Sequence, residues 1–205
     1  MTNYITAYCH ITSNECWVNG KKITLQNSDD DITKQLYNYL EIDYPKFFKM
    51  DRLSKTAFLG TEIIKKNNPL LINYKDDEVG LLFSNPISSA ETDLNFKKSY
   101  QDGGMPSPAL FVYTLPNILL GEIAIRNKWY GESVFTVSEN FDAAYFLSYC
   151  NILLNKCQEA ILCGWIDNNG GNETFLFLVE KKDLNQLNLQ FNFNQLQELY
   201  LKKII

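Results

Sequence analysis

The sequence predicts a layered α/β domain with a mixed five-stranded sheet and a buried central helix. Five short apolar segments, each typical of a strand, are separated by longer segments in which apolar residues recur at helical spacing. In addition, residues 143–154 are apolar on nearly every side, which is typical of a helix buried on more than one face. Neither an internal repeat nor a linker divides the chain, so residues 1–205 are expected to form a single domain.

The strands are predicted from runs of β-branched and aromatic residues bounded by turn residues. The five runs are residues 4–10, 77–85, 134–137, 160–166 and 174–180. Asn19-Gly20, between two short runs, predicts a small hairpin. Asp167 begins a turn that extends to residue 172, and a further strand is expected around residues 187–193.

The helices are predicted from apolar spacing and from capping residues. They cover residues 32–40, 47–66, 91–100, 116–126 and 143–154, and a last helix is expected from Asn194. The polar run Ser28, Asp29, Asp30 and Asp31 is placed to cap the first helix, whereas a calcium loop would need a glycine and a later bidentate glutamate. Pro116 is placed to start the fourth helix.

Composition excludes some functional classes. The net charge is -5 and the lysines are scattered, which argues against nucleic acid as the main partner. No apolar run is long enough for a membrane span, and no signal peptide is recognised, so a cytoplasmic protein is expected. The five cysteines form no C-x-x-C pair and His10 is the single histidine, so we expect reduced structural thiols, no metal and no cofactor.

The bend between residues 137 and 143 is the place where several enzyme families hold a nucleophile, because the helix dipole lowers the pKa of a thiol there. Here the bend contains Glu139, Asn140 and Phe141, none of which is an activated thiol or hydroxyl. Ser138 and Glu139 could be imagined as nucleophile and base. They are adjacent at a turn, however, and the favoured role is to supply, with Asn140 and Asp142, the turn and the cap of the central helix.

Four segments carry a resemblance to a known family. In residues 106–132 the matching residues are Pro108, Phe111, Pro116, Asn117, Gly121, Ile123, Ala124, Ile125, Gly131 and Glu132. Residues 50–55 (MDRLSK) resemble an M-D-R-x-S-x segment, residues 79–82 a V-G strand, and residues 160–164 an alanine- and glycine-rich strand. In the same order over about residues 1–180, these segments resemble the β-ketoacyl synthase family, in particular the short ketosynthase-like proteins of aryl-polyene and flexirubin-type pathways.

The resemblance implies half of a thiolase-like fold, and two departures decide the implied function. The family's nucleophilic cysteine falls at the position of Phe141, and its second-half histidines have no counterpart in these residues. His10 lies in the first predicted strand and cannot replace them. The resemblance therefore implies a non-catalytic subunit, similar to a chain length factor, that supports fatty acid, aryl-polyene or polyketide elongation. Its implied partners are a ketosynthase or a second copy of itself, and possibly an acyl carrier protein.

Four residues are candidates for an acyl tunnel or a partner interface: Phe141, Tyr113, Met105 and Tyr145. Phe141 either plugs the tunnel or packs in the core, while loop anchoring is the simpler role for Tyr113 and Met105. Glu122 and Arg126 are expected to form a surface ion pair. Two other functions stay open, a stand-alone enzyme acting on acyl thioesters and a scaffold without acyl chemistry. Because the central helix would expose a large apolar patch, we expect either a partner or residues 184–205 to cover it.

Overall fold

The computed structural model describes residues 2–25, 30–169, 173–182 and 187–202. The predicted cap residues Ser28 and Asp29, the end of the predicted turn after Asp167, and Leu184 lie outside these ranges. The strands are β1 (Tyr4–Ile11), β2 (Cys16–Val18), β3 (Lys21–Lys22), β4 (Val79–Asn85), β5 (Ser133–Val137), β6 (Ala160–Asp167), β7 (Glu173–Glu180) and β8 (Leu189–Gln190). The helices are α1 (Ile32–Tyr39), α2 (Arg52–Asn67), α3 (Ala90–Tyr100), α4 (Pro108–Val112), α5 (Ile118–Asn127), α6 (Ala143–Lys156) and α7 (Phe193–Leu201).

All strands belong to one mixed sheet with the order β3-β2-β1-β7-β6-β4-β5, and β8 pairs with β1. Of the five long strands, β1, β6, β4 and β5 run parallel to one another, and β7 lies antiparallel between β1 and β6. The five predicted strands are confirmed, and the short strands β2, β3 and β8 extend the sheet to eight. Asn19 and Gly20 both have positive φ, 49° and 76°, as the predicted two-residue hairpin turn requires.

Helices cover both faces of the sheet. The first face packs against α1, α2 and α5, and the second against α6 and α7. Helix α2 lies closely on the sheet because Gly60 has no side chain: a Cβ there would stand 2.8 Å from Leu176 Cδ2. The predicted helix over residues 47–66 is interrupted, because Asp51 caps α2 after a 3₁₀ turn at Pro45–Lys49. Within the described residues, no helix has the length and apolar character needed to cross a bilayer.

Strand β5 was expected to be buried and is instead at the edge of the sheet. It pairs with β4, and Ser133 and Val137 at its two ends are exposed. Val134 packs against the second core and Phe135 against the first. The apolar sequence of β5 is therefore explained by the two covered faces of the sheet, and it does not indicate that one side of the strand is unpaired.

Helix α6 is buried on the side that faces the sheet. Five residues make this contact: Ala143, Phe146, Cys150, Leu153 and Leu154. The opposite side, with Ala144, Ser148 and Ile152, is exposed in the single chain. In the described chain α6 is thus not buried on more than one face, because α7 packs beside it and leaves its outer side exposed.

Candidate functional site

The bend between β5 and α6 lies at the carboxyl edge of the parallel strands. Ser138 N donates a 3.0 Å hydrogen bond to the carbonyl of Asn85, which ties the end of β5 to the end of β4. Asp142 caps α6 by accepting a 3.0 Å hydrogen bond from Tyr145 N. The Ser138 hydroxyl donates instead to the carbonyl of Asn140, and Glu139 is exposed. The predicted capping role is thus confirmed for Asp142 and wrong for Ser138 and Glu139, because the capping position directly precedes Ala143.

Phe141 lies half-buried in a cluster of aromatic rings on the second face of the sheet. Its ring stacks on Tyr200 of α7 with a centroid distance of 4.2 Å and on Phe146 of α6 at 5.4 Å. It also meets Phe175 edge-on at 5.6 Å and Trp165 at 6.4 Å. The position next to α6 is thus filled by an apolar ring held between two helices and two strands.

Two polar rings border this cluster. His10 stacks on Phe175 at 4.5 Å, and its Nε2 donates a 3.1 Å hydrogen bond to the carbonyl of Leu199. Burial, followed by the nearby carboxylates of Glu173 and Asp167, raises the pKa of Tyr200 to about 12. Tyr200 is consequently a neutral packing group over the physiological range, and His10 serves to hold α7 on the sheet.

Tyr145 is connected to Phe141 through one intervening ring. Its ring meets Phe146 at 5.7 Å and Tyr149 at 5.7 Å. Burial raises the pKa of Tyr145, and the neighbouring Thr136 hydroxyl partly opposes that shift. The structure therefore brings two of the four candidates, Phe141 and Tyr145, into one cluster.

Tyr113 lies in the first core, on the other face of the sheet from Phe141. Its hydroxyl donates a 3.0 Å hydrogen bond to the buried carboxylate of Glu122, which also lies 2.7 Å from Lys46 Nζ. Burial and this hydrogen bond raise the pKa of Tyr113. The expected surface pair of Glu122 and Arg126 is wrong, because Arg126 lies 3.7 Å from Glu62 instead.

Met105 belongs to a separate exposed apolar surface, the α3–α4 patch. Its members have exposed fractions as follows: Leu94 59%, Tyr100 43%, Met105 86%, Phe111 60%, Val112 47% and Leu115 59%. With about 200 Å² for a fully exposed large side chain, these fractions add up to roughly 700 Å² of side-chain surface spread over the two helices and their loops. Such a group of exposed apolar side chains makes the α3–α4 patch a candidate interaction surface.

The α3–α4 patch adjoins the same end of β4 as the bend. The Ser89 hydroxyl, in the loop after β4, donates a 2.6 Å hydrogen bond to the carbonyl of Thr114, directly beside Leu115. The carbonyl of Asn85, at the end of β4, holds Ser138. The patch and the open edge of β5 are thus both anchored near the carboxyl end of β4.

Most of the cysteines lie in the two cores. Cys9, Cys16, Cys150 and Cys163 are buried and Cys157 is exposed, so the expectation of mostly buried thiols is met. Burial raises the pKa of Cys16 to about 12 and also raises those of Cys9 and Cys163. Cys150 Sγ lies 3.2 Å from Cys163 Sγ in the second core. Among the described residues, no group of three potential metal ligands comes together.

A buried carboxylate at the opposite end of the long strands was not predicted from the sequence. Glu180 is fully buried at the end of β7 and accepts hydrogen bonds from the hydroxyl of Thr6, from Asn68 Nδ2 at 3.0 Å and from the Tyr74 hydroxyl at 2.5 Å. Burial and the bond to Glu180 raise the pKa of Tyr74. The one sequence signal is a glutamate at the end of the apolar run TFLFLVE, and the network stabilises the start of β1 against β7.

No protein-family model matches the sequence, and no relative is found among the curated proteins by sequence. Solved structures do match. The ishigamide ketosynthase/chain length factor aligns with a TM-score of 0.67 at 15% identity, over 91% of this chain and 64% of that chain. The AntDE:AntF complex, a type II polyketide ketosynthase with its acyl-carrier protein, aligns with a TM-score of 0.61 at 14% identity, over 88% and 63% of the two chains.

A third match is the ketosynthase ApeO in complex with its chain length factor ApeC from Xenorhabdus doucetiae. It aligns with a TM-score of 0.58 at 13% identity, over 89% of this chain and 80% of that chain. The chain spans less than two thirds of the length of the first two matched structures. Together with the mixed sheet and its helices on both faces, these alignments confirm the expected α/β fold: this chain shares the thiolase-like fold of these structures over 63–80% of their length.

Proposed function

We propose that this chain is a non-catalytic ketosynthase-like subunit, similar in role to a chain length factor. It would support elongation of an acyl chain carried as a thioester, in fatty acid, aryl-polyene or polyketide synthesis. The observation that carries the proposal is the ring of Phe141 in the position next to α6, stacked on Tyr200 at 4.2 Å.

The chemistry of condensation supports this proposal. Condensation needs a thiolate to accept the acyl chain and polar groups to stabilise the enolate that forms when the extender loses carbon dioxide. Phe141 supplies neither, and the hydroxyl of Ser138, in the same bend, donates to the carbonyl of Asn140. The buried thiols of Cys150 and Cys163 lie in the second core, where burial raises the pKa of Cys163.

The exposed surfaces support association with a ketosynthase or a second copy of this chain. The roughly 700 Å² of side-chain surface in the α3–α4 patch is close to the about 800 Å² per partner that specific protein interfaces bury. The open edge of β5 and the outer side of α6 offer further contact area on the same protein.

The proposal is tested by association and by activity. Light scattering on the purified chain, alone and with the host's ketosynthase, is expected to give a dimer or a one-to-one complex. Phe111→Asp, in the patch, should weaken association at least ten-fold, because it buries a charge in an apolar interface. Ile72→Asp, a matched control at a position that is 87% exposed outside the patch, should leave it unchanged.

Activity measurements distinguish the proposed non-catalytic subunit from a stand-alone enzyme. The wild-type chain and Phe141→Cys are both expected to give no condensation of malonyl and acyl carrier thioesters, since a new thiol would still lack partner groups for decarboxylation. Steady turnover of acyl thioesters by the isolated wild-type chain would overturn the proposal. A strict monomer that binds no ketosynthase would overturn it as well, and would favour a scaffold role.

A further inference from the structure

A cleft of about 340 Å³ opens on the first face of the sheet, outside the carboxyl end of β1. It lies between the first turns of α1 and α2 and the loop after β6. The residues that matter for its chemistry are Thr12, Asp31, Thr33, Arg52, Lys55 and Thr174. Crevices outside the carboxyl ends of parallel strands are the common binding places in open α/β sheets.

The cleft is distinct from the aromatic cluster around Phe141. Thr174, at the start of β7, pairs with Ile11 and lines the cleft. The next residue, Phe175, points to the opposite face and contacts Phe141 at 5.6 Å. Strand β7 therefore separates the cleft from the aromatic cluster, and the ring of Phe141 does not enter the cleft.

The charge balance of the cleft favours an anion. Arg52 and Lys55 are three residues apart on α2 and so lie on one side of that helix. Arg52 Nη1 is 3.9 Å from Glu91, and Lys55 Nζ lies over the ring of Phe47 at 5.8 Å. Two cations therefore line the cleft of a protein whose net charge is -5.

Asp31 is the one carboxylate among the described residues that line the cleft, and it is engaged by its own helix. Its Oδ1 accepts hydrogen bonds from Thr33 N at 2.7 Å and Lys34 N at 3.1 Å. The Thr33 hydroxyl also donates to Oδ1 and is the main cause that lowers the pKa of Asp31, followed by these backbone bonds and the charge of Lys55. The charges of the described lining residues sum to one positive unit, and Glu91, outside that lining, is an acidic neighbour of Arg52.

We propose that this cleft binds a small organic anion, a carboxylate or a phosphate monoester with a compact apolar body. Arg52 and Lys55 would hold the anionic head, whereas the Thr12 and Thr33 hydroxyls already donate within the protein, to the carbonyl of Glu15 and to Asp31. Ile11 and Ile32 line the cleft beside them and would contact the apolar body. The volume is near the lower end of the range of ligand pockets, about 300–1,000 Å³, so the ligand is small.

The test is calorimetric titration of the full chain with benzoate, phenyl phosphate and benzamide, a neutral compound of the same shape. Benzoate or phenyl phosphate is expected to bind at least ten-fold more tightly than benzamide, because the charge-assisted hydrogen bonds need the anion. Preference for phenyl phosphate would identify a phosphate ester, and preference for benzoate a carboxylate. Equal affinity for benzoate and benzamide, or no saturable binding of any probe up to about 10 mM, would overturn the proposal.

Variants locate the site. Arg52→Gln and Lys55→Gln should each weaken binding of the better anion roughly ten-fold, the usual effect of losing one charged hydrogen bond. Lys98→Gln, on α3 and outside the cleft, changes the net charge equally and should have no effect. Equal weakening in all three variants would mean non-specific attraction and would reject the site. The outcome is independent of partner binding, so it is distinguishable from a failure of the proposed function.

Discussion

Replacing Phe141 by alanine tests whether the ring at the bend is a structural part of the core. Removing a fully buried phenylalanine costs about 3–5 kcal/mol, through lost transfer free energy and the cavity left behind. Phe141 is half-buried, so Phe141→Ala is expected to lower the free energy of unfolding by about 2 kcal/mol. For a chain of this length that corresponds to a fall in melting temperature of about 4–8 °C.

The contact with α7 makes the prediction specific. Phe141 and Tyr200 stack at 4.2 Å, and such aromatic pairs contribute about 0.5–1.5 kcal/mol beyond burial. A double-mutant cycle with Phe141→Ala and Tyr200→Ala should therefore give a coupling energy in this range. The measurement is urea unfolding followed by circular dichroism, with the slope against urea unchanged among the variants.

An exposed aromatic residue provides the control. Tyr130 is 61% exposed, so Tyr130→Ala should change the free energy of unfolding by less than about 0.5 kcal/mol. If Phe141→Ala is as mild as Tyr130→Ala, the ring does not pack in the core. If the cycle gives no coupling, α7 does not close the cluster, and the surface near the bend is open to a ligand or a partner.

Two further predictions concern the thiols and the response to pH. A thiol reagent should label Cys157 in the native state and the other four cysteines only after denaturation; native labelling of Cys150 or Cys163 would contradict the packing of α6. Since the pKa of Tyr200 is raised from 10.0 to about 12 on folding, the folded chain holds this proton longer, and stability should fall as pH rises between these values. Tyr200→Phe should make that fall shallower in alkaline urea titrations, and an unchanged slope would refute the assigned burial.

Local signals predicted most of the fold. Asn19-Gly20 specifies the hairpin because both residues must adopt positive φ. The five apolar runs became the five long strands, because each is buried on at least one face whatever its place in the sheet. Strand order, in contrast, could not be predicted from these local signals. An apolar strand such as β5 can lie at the edge or in the centre of a sheet with the same sequence. Its side chains depend on which faces of the sheet are covered, whereas strand order depends on backbone hydrogen bonds between neighbouring strands.

The candidate site was predicted only in part, because its members come from distant parts of the chain. Phe141 was recognised from the bend beside it, and Tyr145 follows it on α6. Its stacking partner Tyr200 is far away in sequence, and no local pattern connects them. Glu122 illustrates the same limit: helical spacing suggested Arg126 as its partner, whereas the structure supplies Lys46 and Tyr113 from other elements.

The outer side of α6 leads to a last prediction. Lys156 is the one charged residue in α6, whereas a helix side that faces water usually carries several charges. Ala144 and Ser148 on that side are small, so another protein surface could approach the helix closely there. Ile152, on the same side, is 51% exposed. This composition fits a side that is covered in an assembly.

Ile152→Glu should accordingly leave the melting temperature of the isolated chain within about 2 °C, because an exposed position tolerates a charge. The same change should weaken self-association or ketosynthase binding at least ten-fold, because the complex would have to bury an unpaired carboxylate against α6. Ile125→Glu is the matched control, since Ile125 is 60% exposed on α5, a helix that packs on the other face of the sheet. If both variants associate as the wild type does, the outer side of α6 faces water in the working protein, and the partner contacts must be confined to the α3–α4 patch and the edge of β5.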